Sequence, residues 1–210
     1  SYSVLDGPIG RDLLSGTEKY WLKGLAYYDA GARSFYTKEK KINSPEDLDG
    51  LKIRVMESKT AFDMVKALGG SPTPISFGEL YTSLQQGVVD GAENNPPSFY
   101  LSRHYEVCKY YTLDEHTILP DVLLMSTHIW DSFSDKERGW LSQAVKESIT
   151  EQRKLWAKSE KQSLDAVKEA GVEIIIPDKT LFSKKSKIIL ESYKEDEVLY
   201  DFINRIKNTK

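Results

Sequence analysis

The sequence predicts an α/β protein built on a parallel sheet, and the block from residue 50 to residue 94 carries that expectation. Leu51, Ile53 and Val55 alternate with Lys52 and Arg54 at the two-residue period of a strand, between Gly50 and a polar Glu57, Ser58 pair. Ala61, Phe62, Met64, Val65 and Leu68 then recur at helical spacing and stop at Gly69 and Gly70, a favourable C-terminal cap. "SPTPI" is extended, because each proline pushes its predecessor toward β or polyproline geometry. Ser76 and Glu79 form an S-x-x-E capping pattern ahead of a helix carrying Leu80, Tyr81 and Leu84, which Gly87 closes. "VVDGAENN" supplies a third strand. Strand, helix, strand, helix, strand is the order of right-handed crossovers in a parallel sheet, whose ligands sit at the carboxyl ends of the strands.

The second half reads differently. Ser134 and Glu137 make another capping pattern, and helix-compatible sequence then runs without Gly or Pro from Asp135 to Ala170, ending at Gly171. At 1.5 Å per residue such a helix is about 54 Å long, so it kinks or bridges two lobes. Leu141, Val145, Ile149, Leu155, Trp156, Leu164 and Val167 give it a core-packing stripe. "VEIIIP" reads as a strand, and the lysine-rich tail to Lys210 as helices with solvated faces.

Composition narrows the classes. The 210 residues, 40% of them hydrophobic, suffice for a real core, and a net charge of -3 gives no basic excess for nucleic acid. The longest apolar runs fall far short of the roughly 20 residues of a membrane span. Cys108, the single cysteine, suits a packed thiol beside Val107 and Tyr110. His104, His116 and His128 are spaced without a metal-ligand pattern, and neither a nucleophile elbow nor a phosphate loop occurs. No metal, cofactor or catalytic residue is expected.

Arg54 is the candidate for chemistry. In isolation it reads as a solvated charge on a strand, but the topology places it near a carboxyl end, close to the N-terminus of the next helix. Ser76, Phe77 and Glu93, Asn94 occupy the equivalent ends of the next two strands. A guanidinium, an aromatic face and an amide thus converge, and a carboxylate would satisfy both the charge and the fork of donors.

The stretches "VLDGPIG", "GLAYYDAGARSFY", "SPEDLDGLKIRVMES", "GGSPTPISFGELYTSLQQGVVDGAENNP", "HYEVCKYYTLDEHT" and "VKEAGVEI" together resemble the extracytoplasmic solute-binding component of tripartite ATP-independent periplasmic (TRAP) transporters. The resemblance implies a two-lobed, periplasmic-binding-protein-like α/β fold. Residues 1–30 and 120–159 would be what remains of lobe I, residues 31–119 and 160–210 would form lobe II, and a helix over about 135–170 would bridge them. It also implies Arg54 as carboxylate clamp, Phe77 as stacking wall, Asn94 and Glu93 as further contacts, Arg33 as second basic contact and His116 as an outer pocket residue. The ligand would be a small organic acid, a sugar acid or a C4-dicarboxylate, with "AENNPPS" favouring the former. A periplasmic location, a membrane permease partner and a monomeric full-length protein follow from the same likeness. The lobes would close about residues 29–31 and 118–121. Such proteins carry roughly a hundred residues ahead of "VLDGPIG", including a signal peptide, so the present chain is expected to be incomplete as a functional unit.

Two other classes fit parts of the pattern. A sensor's ligand-binding module would need the same pocket without a permease. An enzyme acting on a sugar acid would use Glu79, Glu93 or His116 for proton transfer, yet Glu79 is better explained by capping, and Asp90 and Glu93 fit solvated loop charges equally well.

Overall fold

The computed structural model describes residues 2–209. In chain order the elements are α1 (Tyr2–Leu5), α2 (Pro8–Ser15), β1 (Leu22–Tyr28), β2 (Ala32–Thr37), β3 (Lys52–Val55), α3 (Lys59–Leu68), β4 (Ser71–Pro74), α4 (Leu80–Gln86), β5 (Gly91–Asn94), α5 (Pro96–Leu101), β6 (Tyr110–Ile118), β7 (Asp121–Ser126), α6 (Thr127–Ser132), α7 (Asp135–Glu169), β8 (Glu173–Ile175), α8 (Lys179–Glu191) and α9 (Glu197–Lys207). They fall into two compact units, residues 1–30, 120–157 and 194–210 in one, and residues 31–119 and 158–193 in the other.

The second unit holds a six-stranded sheet in the order β4-β3-β5-β2-β6-β8. The expected crossovers are its β4-β3-β5 part, in which both β4 and β5 pair with β3 in parallel. The sheet is nonetheless mixed, because β2 runs antiparallel to both β5 and β6. Alternation along β2 sends Phe35 and Tyr36 to opposite faces, and each seeds its own core. Tyr36 packs with Leu80, Leu84, Phe99, Tyr111 and Val167 on one face, whereas Phe35 packs with Ile53, Val55, Met64, Leu68 and Phe182 on the other. Helix α3 ends where expected, because Gly69 adopts φ 103°, a left-handed cap that costs glycine little. Cys108 is sealed in the Tyr36 core, where burial pushes its thiol up to about 12.

The first unit pairs β1 antiparallel with β7. Tyr27 donates its hydroxyl to the Gly10 carbonyl at 3.0 Å, and Tyr28 meets Ser148 on α7 at 2.8 Å. Helix α7 begins with the reciprocal capping box read from the sequence. Ser134 N donates to the Glu137 carboxylate at 2.8 Å, and Glu137 N donates to Ser134 Oγ at 3.4 Å. At Ser76 the expected box does not close, since its hydroxyl binds the Glu79 carboxylate at 3.0 Å and no backbone N–H, leaving a 3-10 turn over Phe77–Glu79. The tail from residue 194 on, expected with lobe II, belongs instead to the first unit. There α9 lies on α2, and Arg205 pairs with Asp12.

Candidate functional site

The six candidate residues all lie in the second unit, and the sheet sorts them by face. Arg54 on β3 has Ala92 as its partner in β5. Because side chains alternate along β5, Asn94 shares the Ala92 side and Glu93 takes the other. The Glu93 side is a closed ionic chain. Arg33 donates Nε–H to one Glu93 oxygen at 2.5 Å and Nη2–H to the other at 2.7 Å. Its Nη2 also binds the Glu93 carbonyl at 2.8 Å, and Nη1 donates to Asn94 Oδ1 at 2.9 Å. His116 places Nε2 at 3.5 Å from Glu93, stacks on Phe35 at 4.3 Å, and holds Nδ1 at 2.7 Å from Asp114.

These partners set the charges. Burial pushes the His116 imidazolium toward neutrality, but Asp114 and Glu93 outweigh it and lift the group to about 9. Burial likewise pushes Glu93 upward, yet the bonds to His116 and Arg33 hold its carboxyl below the ordinary value. Two cations and two carboxylates thus balance inside the protein. The Arg33 fork is largely filled, Glu93 is occupied on both oxygens, and the His116 side chain is 1% exposed rather than placed at an outer rim, held between Asp114 and Glu93. Sequence spacing does not single out Asp114. Its other oxygen accepts the Phe35 N–H at 3.1 Å, where the register between β2 and β6 shifts. Asp114 and His116 meet where β6 departs from regular alternation, Glu115 between them taking φ 50°, so their two-residue spacing alone does not foretell the contact.

Arg54 is different. It is 4% exposed, and its Nε donates to the Ile75 carbonyl at 2.8 Å. Its guanidinium carbon lies 5.6 Å from the centre of the Phe77 ring. Among the described residues no carboxylate pairs with it and its terminal nitrogens have no hydrogen bond. Burial lowers its pKa while the distant Tyr36 and Glu93 raise it only in part. Phe77 itself is 45% exposed, a free aromatic face beside a desolvated cation. Asn94 gives its oxygen to Arg33 Nη1 and to Asn95 N, so its amide N–H groups remain as donors. The arrangement can take a carboxylate on Arg54, an apolar ring face on Phe77 and an acceptor on Asn94.

Among the described residues no cluster of His, Cys, Asp and Glu is placed to hold a metal ion, and no helix is long and apolar enough to cross a membrane.

At the end of β3 the mixed sheet thus presents a largely buried arginine that no carboxylate of the described residues neutralises. The chain belongs to the bacterial extracellular solute-binding protein family 7 (DctP), which matches residues 1–196. It is similar to a TRAP periplasmic solute-binding protein from Xanthobacter autotrophicus solved with bound β-D-galacturonate, with 43% identity and a TM-score of 0.93, covering 99% of this chain and 70% of that one. A second, from Chromohalobacter salexigens with bound D-glucuronate, matches with 36% identity and a TM-score of 0.96 over 100% of this chain and 70% of that one. A curated solute-binding protein of the same species is 38% identical over 196 residues, 93% of this chain and 58% of that protein. The chain spans about six tenths of the length of the curated relatives it matches.

Proposed function

We propose that the chain is the acid-gripping part of a periplasmic receptor that captures a hexuronate and delivers it to a TRAP membrane permease. The observation that carries this reading is the buried Arg54 guanidinium, which lacks a carboxylate among the described residues while Arg33 is neutralised by Glu93. A largely buried cation without a counter-charge is costly, and an acidic ligand held bidentately offsets that cost. Phe77 offers a flat apolar surface for the C–H face of a sugar ring, and Asn94 offers donors to a ring substituent. The galacturonate and glucuronate held by the two similar structures support a uronate over a dicarboxylate.

Calorimetry with D-glucuronate, D-galacturonate, succinate and uncharged D-glucose tests this. Binding of the uronates without binding of glucose is expected. Succinate bound more tightly than either uronate moves the ligand class to dicarboxylates, and glucose bound as tightly as glucuronate overturns the carboxylate clamp.

A further inference from the structure

His104 lies just after α5 at the start of a short turn and is 1% exposed. Its Nδ1 stands 2.8 Å from the Tyr36 hydroxyl, and its ring meets the Phe77 ring edge-on at 5.6 Å. The Tyr36 hydroxyl hydrogen has no other acceptor among the described residues, so it is donated to Nδ1, and the neutral imidazole carries its own proton on Nε2. Burial and the nearby Arg54 charge hold the group down at about 4, which keeps it neutral. Behind it, Tyr36 packs on Phe99 at 4.6 Å and on Tyr111 at 6.1 Å, and the Tyr111 hydroxyl donates to the Asn94 carbonyl at 2.9 Å. In front of it, residues 75–77 hold Arg54 twice, through the Ile75 carbonyl and through the Phe77 ring.

Within that segment Ile75 is tied to the Val55 carbonyl at 3.3 Å and packs on the Tyr36 core, whereas the Phe77 ring is held less firmly. Phe77 is nearly half exposed and sits in a 3-10 turn without a side-chain cap, where a large ring would sample several rotamers. His104 backs it with an imidazole anchored to the tyrosine layer beneath Asn94. We propose that His104 is a positioning residue of the acid site. Through Phe77 and Tyr36 it fixes the segment 75–77 that orients the Arg54 guanidinium, and it ties this half of the site to the Asn94 half. The inference rests on reading Arg54 as the carboxylate contact.

His104→Phe keeps an aromatic ring against Phe77 but leaves the Tyr36 hydroxyl without its acceptor, whereas the double variant Tyr36→Phe, His104→Phe leaves no orphaned group. D-glucuronate affinity is expected to fall about tenfold in both, while the melting temperature lost in the single variant is largely recovered in the double one. A merely structural histidine moves the melting temperature alone, so unmodified affinity in the well-folded double variant overturns the inference. If the unmodified chain does not bind D-glucuronate, positioning is read without ligand. With 15N-labelled arginine, Arg54 Nε–H exchange at least tenfold faster in the double variant supports it, and unchanged exchange overturns it.

Discussion

Arg33 holds both carboxylate oxygens of Glu93, at 2.5 and 2.7 Å, in a site where both side chains are nearly sealed from water. The second arginine of the site is thus neutralised from within, and on the proposed reading Arg54 is left to meet the ligand's charge. Removing one partner of a buried pair strands the other, at a cost of about 3 kcal/mol or more. Glu93→Gln should therefore lower the melting temperature strongly while changing D-glucuronate affinity less than tenfold at temperatures where the variant is folded. An unchanged melting temperature with a large loss of affinity would instead make Glu93 a ligand contact.

The two buried histidines give stability opposite slopes with pH. His116, facing Asp114 and Glu93, titrates at about 9 when folded against an ordinary value near 6.5. Its contribution is complete below about pH 6.5 and is lost as pH rises toward 9, by about 3 kcal/mol at most. His104, facing Tyr36, Phe77 and Arg54, titrates at about 4 when folded. The unfolded chain takes up that proton first, so stability is lost as pH falls from about 6.5 toward 4. Melting curves between pH 4 and 10 should show the alkaline arm flattened by His116→Gln and the acid arm flattened by His104→Gln. Identical profiles in all three proteins would contradict both assignments.

Local signals made part of this fold legible and left the rest dark. The period-2 run around Arg54, the glycine caps and the Ser134 box lie within a few residues of what they specify, and α7 ends one residue short of the expected Ala170. Strand β2 and its antiparallel place carry no local sign, because Ser34 pairs with Asn94 across sixty residues and no turn joins them. The site divided in the same way. Arg54, Phe77 and Asn94 are chemistry-bearing residues at strand ends. Arg33 and Glu93 have the right residue types, but whether an arginine meets a ligand or an internal carboxylate depends on which face of the sheet it takes. His104 carries no local sign of its partner Tyr36, sixty-eight positions away.

Asn94 contributes neutral donors, since its oxygen is already held by Arg33 and by Asn95 N. On the proposed reading Asn94→Ala removes a hydrogen bond of about 1 kcal/mol to the ligand and should weaken D-glucuronate binding about fivefold. A calorimetric titration showing no change would remove the amide from the binding contacts.

Replacement of Arg54 tests the central claim most directly. Each charge-assisted bond to a carboxylate contributes on the order of 1.5 to 3 kcal/mol, so losing a bidentate pair should lower affinity by at least about a hundredfold. Arg54→Lys keeps the charge without the planar fork and should recover only part of that loss. The measurement is D-glucuronate affinity by calorimetry for the unmodified protein, Arg54→Ala and Arg54→Lys, with melting curves on the same samples. The predicted result is folded variants whose affinities rank unmodified, Lys, Ala. A well-folded Arg54→Ala protein that binds D-glucuronate as tightly as the unmodified chain would contradict it.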